Sequence, residues 1–210
     1  MEDIEDFIAR NKDTYIKVAD VSQSIIDKYS NMFQGNSYFP KEVIWLWENM
    51  GFGIYENGYL QLVNPEEWDF VFEYIDKILE PAVVIGITAL GDILVWEGND
   101  NWTIAPDEGN RMGFFNVRNL SKKIKAQVWG YLEFDADIKK GTPRQIKEFQ
   151  TKPYLEMKDK LPKLEYGQCY GYVPALALGG SRSNKNLQVV DTKAYIHIIG
   201  QAVGKIYDLS

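Results

Sequence analysis

One histidine, His197, and one cysteine, Cys169, are this chain's whole stock of side chains for imidazole or thiol chemistry. A nucleophilic Cys–His pair requires the two to meet in space, and nothing in the residues around either one points that way. Zinc held by histidine and cysteine needs three or four such ligands, so a structural zinc site is excluded. In a helical reading His197 shares a polar side with Lys193, Gln201 and Gly204, which places it at the surface. No catalytic residue, metal ligand or cofactor is expected.

Two loops imitate ion-binding motifs. Asp135 and Asp137 start like a calcium loop, but Lys139, Lys140 and Ile146 occupy the positions that need an oxygen ligand, a glycine and a glutamate. The stretch Gly179-Gly180-Ser181-Arg182-Ser183 has the glycines of a phosphate-cradling loop, but it lacks the Gly-Lys-Ser/Thr ending and precedes a strand. It is read as a glycine turn or partner-contact loop. Carboxylates are plentiful, and an enzyme using carboxylates and tyrosines between two lobes stands as a rival reading.

Charge is divided unevenly. Residues 1–110 hold 21 acidic and 6 basic side chains, net −15, whereas residues 111–210 hold 9 and 17, net +8. An acidic lobe can be steered toward a basic partner; attraction between the lobes, or plain solvated surface, explains the same counts. The basic lobe includes Lys122, Lys123, Lys125, Lys139, Lys140, Arg144 and Lys147, yet a pI near 4.9 argues against direct nucleic-acid binding. The start, Met1-Glu2-Asp3-Ile4-Glu5-Asp6, has neither a basic nor an apolar region of a signal peptide. The longest apolar run, Ala82 to Leu90, is strand-sized. A cytoplasmic location with no membrane partner is expected, and the oligomeric state is left open.

The elements that must position these side chains read as α+β. Val21, Ile25 and Ile26 suit a helix over about 18–29, and Val43, Leu46, Trp47 and Met50 a second one behind Pro40 and before Gly51. Phe52–Tyr55 and Tyr59–Val63 flank Glu56-Asn57-Gly58, a hairpin signal. Asn64-Pro65-Glu66-Glu67 then opens a predicted helix to Glu80, with Trp68, Val71, Phe72, Ile75, Ile78 and Leu79 inward. Strands are expected at Val83–Ala89, Ile93–Trp96, Trp102–Ile104 and Phe114–Val117. Helices are expected from Asn119 or Ser121 (carrying Ile124, Val128, Trp129 and Leu132) and from Thr142. Leu187–Val190 reads as a strand, and Asp191 caps a last helix bearing Ala194, Tyr195, Ile198, Ala202 and Ile206.

Two stretches carry a family likeness. Trp47 to Trp68, with Gly51-Phe52-Gly53, Tyr55, Gly58 and Asn64-Pro65-Glu66, resembles the GAD-like domain. Tyr170-Gly171-Tyr172-Val173-Pro174 through Gly179-Gly180, with Leu187 and the final helix, is similar to the C-terminal domain of immunity proteins against type VI secretion DNase toxins. The resemblance implies two lobes of antiparallel or mixed sheet flanked by helices, divided as 1–115 and 116–210. It also implies a non-enzymatic protein that binds and neutralises a cognate nuclease toxin. The expected contacts are Glu66, Glu67, Asp69, Glu73 and Asp76 on the acidic face, with Tyr170, Tyr172, Gly179, Gly180 and Arg182. The alternative is an interaction or ligand-binding module with no toxin partner.

Overall fold

The computed structural model describes residues 2–35, 37–76, 78–98, 110–125 and 151–205. Its centre is an antiparallel meander in which each strand pairs with the next. The strands are β1 (Ile16–Ala19), β2 (Phe52–Tyr55), β3 (Leu60–Leu62), β4 (Ala82–Thr88), β5 (Ile93–Glu97), β6 (Arg111–Asn116) and β7 (Ser121–Lys125). Helices α1 (Glu2–Asn11), α2 (Gln23–Met32) and α3 (Lys41–Asn49) come from the first quarter of the chain. A short helix α4 (Lys152–Met157), a ribbon of β8 (Gln168–Tyr172) and β9 (Leu187–Asp191), and helix α5 (Thr192–Val203) complete the described chain. This is the expected α+β class.

Side-chain alternation explains why the middle strands are apolar on both faces. Val83, Ile85, Leu94, Trp96, Met112 and Phe114 face a core shared with Phe7 of α1, Tyr29 of α2 and Val43, Leu46 and Trp47 of α3. Val84, Ile87, Ile93, Val95, Phe115 and Val117 face a second core with Trp68, Val71 and Ile75, and with Tyr195, Ile196 and Ile199 of α5. Each fully buried side chain of this size contributes roughly 1.5–3 kcal/mol.

Several sequence expectations hold. Gly51 takes a φ of +78° behind α3, and the Asp191 carboxylate accepts the Ala194 N–H at 2.7 Å to cap α5. The β2–β3 hairpin forms, with positive φ at Glu56 and Gly58. The Glu56 carboxylate is drawn inward to accept from the buried Asn11 amide at 2.9 Å.

Others are corrected. Residues 16–19, part of which was assigned to the first predicted helix, form edge strand β1, and α1 was not anticipated. Ser121 opens strand β7 rather than a helix: Phe114 pairs with Lys123 and Gly113 with Ile124, so the sheet edge claims the segment over its local helix pattern. The calcium-like loop, the helix from Thr142 and the strand Trp102–Ile104 lie outside the described residues.

The ribbon is fastened to the sheet through its backbone. Gln61, fully buried on β3, donates to the Gln168 carbonyl at 2.9 Å and accepts the Gly167 N–H at 2.7 Å. The Tyr170 N–H donates to the Ala89 carbonyl at 2.7 Å.

Candidate functional site

The acidic segment after β3 is not the expected α-helix. It runs as two 3₁₀ turns, Pro65–Glu67 and Asp69–Glu73, broken at Trp68 and Tyr74, whose φ/ψ lie near −120°/1° and −106°/0°. The N–H groups of Trp68, Val71 and Tyr74 bond three residues back, to Pro65, Trp68 and Val71. A period of three residues aligns Pro65, Trp68 and Val71 on one buried edge. Aromatic and β-branched residues at 68, 70, 71, 72, 74 and 75 lose rotamer freedom in an α-helix, and burial here rewards the tighter turn. Asn64 still caps the segment, accepting the Glu66 N–H at 3.2 Å.

The tight turn leaves Glu66, Glu67, Asp69 and Glu73 exposed and Asp76 half-buried above a hard aromatic floor. Two cations reach in from other elements. Lys28 of α2 pairs with Glu66 at 2.9 Å, and Lys193 of α5 pairs with Glu67 at 2.8 Å while lying 5.4 Å from the Trp68 ring centre. Burial raises the Asp69 carboxyl, with Lys28 opposing and Glu66 adding to the rise. Asp69 and Glu73 have no ion pair shown among the described residues, so the rim keeps unneutralised negative charge.

Helix α5 holds this segment against the sheet, but along a different stripe from the expected one. Thr192, Tyr195, Ile196, Ile199 and Gly200 face inward, and Ile198 is 54% exposed. Gly200 sets the register, because a Cβ there would lie 2.3 Å from the Tyr74 ring. His197 consequently is not a free surface residue. Its ring stacks on Phe70 at 4.2 Å, and its Nδ1 lies 2.9 Å from the Tyr74 hydroxyl.

Cys169 is fully buried beneath Gly91 and Tyr195, and burial pushes its thiol up to about 12, against the opposing influence of Thr192 and Arg118. At neutral pH it is a protonated core group rather than a nucleophile. Among the described residues, no three His, Cys, Asp or Glu side chains gather to hold a metal, and no helix is long and apolar enough to cross a membrane.

The second candidate stretch divides in two. Tyr170 and Tyr172 are buried and shape the ribbon, with Tyr172 also lining a hollow beside Arg182. Gly179 and Arg182 are exposed, with Gly180 half-buried beside them. Gly180 allows no side chain, since a Cβ would overlap the Pro174 carbonyl; its N–H donates to the Ala175 carbonyl at 3.0 Å. The structure thus brings the five acidic candidates together on one segment, while the glycine loop springs from the far end of β8.

Family comparison covers both regions. Residues 2–105 match the GAD-like domain, and residues 130–203 match the T6SS immunity protein Tdi1, C-terminal. The chain thus resembles a GAD-like domain followed by the C-terminal domain of a T6SS immunity protein. Its fold is similar to that of the crystal structure of Atu4351 from Agrobacterium tumefaciens, with a TM-score of 0.65 over 98% of this chain and 92% of that one at 20% identity. No curated protein matches it in sequence.

Sequence reasoning missed the buried ion pair of Asp92 and Arg118 and the two lysines that brace the acidic segment. Lone charges 38 and 126 residues from their partners leave no local signal. The Gly91-Asp92 turn was visible, but a turn aspartate is ordinarily a solvated one.

Proposed function

We propose that the protein neutralises a cognate nuclease toxin in the cytoplasm by covering the toxin's DNA-binding surface with the acidic segment 64–76. A nuclease must present positive charge to hold phosphates, and an acidic surface competes for that charge. The observation that carries this reading is the 3₁₀ geometry, which turns Glu66, Glu67, Asp69 and Glu73 outward over the buried Trp68 and Val71. Rigid carboxylates on a packed floor speed encounter by electrostatic attraction and lose little entropy when a partner docks. Protection by stoichiometric binding requires no catalytic group.

The test is co-expression with a candidate nuclease toxin encoded by a neighbouring gene, scoring growth and co-purification. Rescue of growth with a stable complex supports the proposal. Charge reversal of Glu66, Glu67, Glu73 and Asp76 together should slow association at low salt and flatten its salt dependence. Association at the wild-type rate by that quadruple variant would rule out the acidic segment as the contact.

A further inference from the structure

A cavity of about 570 Å³ opens between α4, the β6–β7 turn and the glycine loop. Arg118 contributes to its wall from the sheet, Lys152 and Glu156 from α4, and Arg182, Ser183 and Lys185 from the loop. Two elements, α4 and the loop, thus deliver exposed cations to one hollow, with the buried and paired Arg118 behind its wall. Asp92 pairs with Arg118 at 2.7 Å, and Glu156 lies 3.6 Å from Lys152. Four basic groups against these two carboxylates leave an excess of positive charge among the described residues.

Tyr172 lines the same wall, where burial raises its phenol while Arg118 and Arg182 oppose that rise. The loop that carries Arg182 and Lys185 is held in shape before any ligand arrives. Gly180 is pressed on the Pro174 carbonyl, Asn186 donates to the Ser181 carbonyl at 3.3 Å, and the Ser183 hydroxyl accepts the Lys185 N–H at 3.4 Å. Arg182 is positioned by a hydrogen bond to Asn119, and Asn184 by one to Glu156 at 2.6 Å.

We infer that this cavity is a binding site for a small phosphate-bearing molecule of about nucleotide size, separate from the acidic segment. Its volume falls in the range of small-ligand pockets. A terminal phosphate carries nearly two negative charges on three oxygens directed apart, which suits cations approaching from two elements. A single carboxylate is planar and singly charged, and one Arg fork satisfies it. The loop lacks the sequence of a phosphate-binding glycine loop because it works differently: its side chains, rather than a ring of backbone N–H groups, supply the positive charge.

The inference does not rest on the toxin-binding proposal, and its test needs no toxin. Calorimetric titration of the full-length protein with sodium pyrophosphate is compared with citrate at matched ionic strength. Saturable one-to-one pyrophosphate binding is expected, weakened at least tenfold by Arg182→Glu and by Lys185→Glu and left unchanged by Lys12→Glu, a surface control. All three replacements lie at exposed positions, so circular dichroism should report an intact fold. No saturable pyrophosphate binding, or equal binding by all the variants, overturns the site. Citrate binding as tight as that of pyrophosphate overturns the phosphate assignment. So does loss of toxin capture by Lys185→Glu in a protein that ignores pyrophosphate, since the occupant would then be an acidic segment of the toxin.

Discussion

Arg118 and Asp92 form an ion pair sealed inside the protein, 2.7 Å apart with side chains 2% and 0% exposed. The pair joins the β4–β5 turn to the β6–β7 turn. The Asp92 carboxylate also accepts from the Thr88 hydroxyl at 3.3 Å. Burial works to raise the Asp92 carboxyl, while the adjacent guanidinium and these donors work to lower it. Removing one partner strands the other without water. Asp92→Asn should therefore cost about 3–5 kcal/mol of unfolding free energy, measured by urea denaturation. Replacing both together by Leu and Met should recover most of that loss; a double variant as unstable as the single one would show that the charges are needed for more than each other.

The braces on the acidic segment should behave differently. Lys193 and Glu67 have side chains 36% and 56% exposed, so water screens their attraction. A double-mutant cycle with Lys193→Ala and Glu67→Ala should give a coupling of at most about 1 kcal/mol, shrinking with added salt. A larger, salt-independent coupling would mean that the contact with Trp68 dominates the charge pair.

Gly200→Ala should destabilise by about 1–3 kcal/mol, because the new methyl would press on the Tyr74 ring. Displacing Tyr74 would also break its hydrogen bond with His197, so the imidazole NMR resonances should move. Gln201→Ala, one residue on at an exposed position, should change stability by no more than about 0.5 kcal/mol. Unchanged imidazole resonances in the Gly200 variant would show that α5 tilts away as a unit.

Cys169 should resist alkylation at pH 8 in the native protein and react quickly once urea unfolds it, because the folded thiol stays protonated up to about 12. Its ordinary value is 9.0. Between those two values the unfolded chain has lost the proton and the native one retains it, so this group makes stability fall as pH rises through that window. Rapid native-state labelling, followed by mass spectrometry, would contradict the burial.

What could be read from the sequence follows a physical division. Strands β4, β5 and β6, the α3 stripe and the Asp191 cap were legible because burial on both faces, helical spacing and a capping carboxylate are local signals. The acidic segment was misread because Trp68, Val71, Phe72 and Ile75 fit a period of 3.6 residues almost as well as the 3₁₀ period that packing selects. Strand β7 was misread because Ile124 within a lysine-rich run resembles a helix until the edge of β6 is there to pair it. The acidic candidates came out together because they are neighbours along the chain. The phosphate cavity could not, since Arg118 and Lys185 are brought near each other only by the fold.

Gln61 bears on how such proteins can diversify. Its amide imitates a missing peptide unit, giving and taking one bond each with the chain at Gly167 and Gln168. Two regions that match separate families are thereby joined as though by an added strand, across more than a hundred residues. A recombinant that paired this front half with a relative's rear half would have to inherit a backbone able to meet that amide. Exchange of whole halves is thus constrained at the seam, whereas exposed charges elsewhere remain free to change.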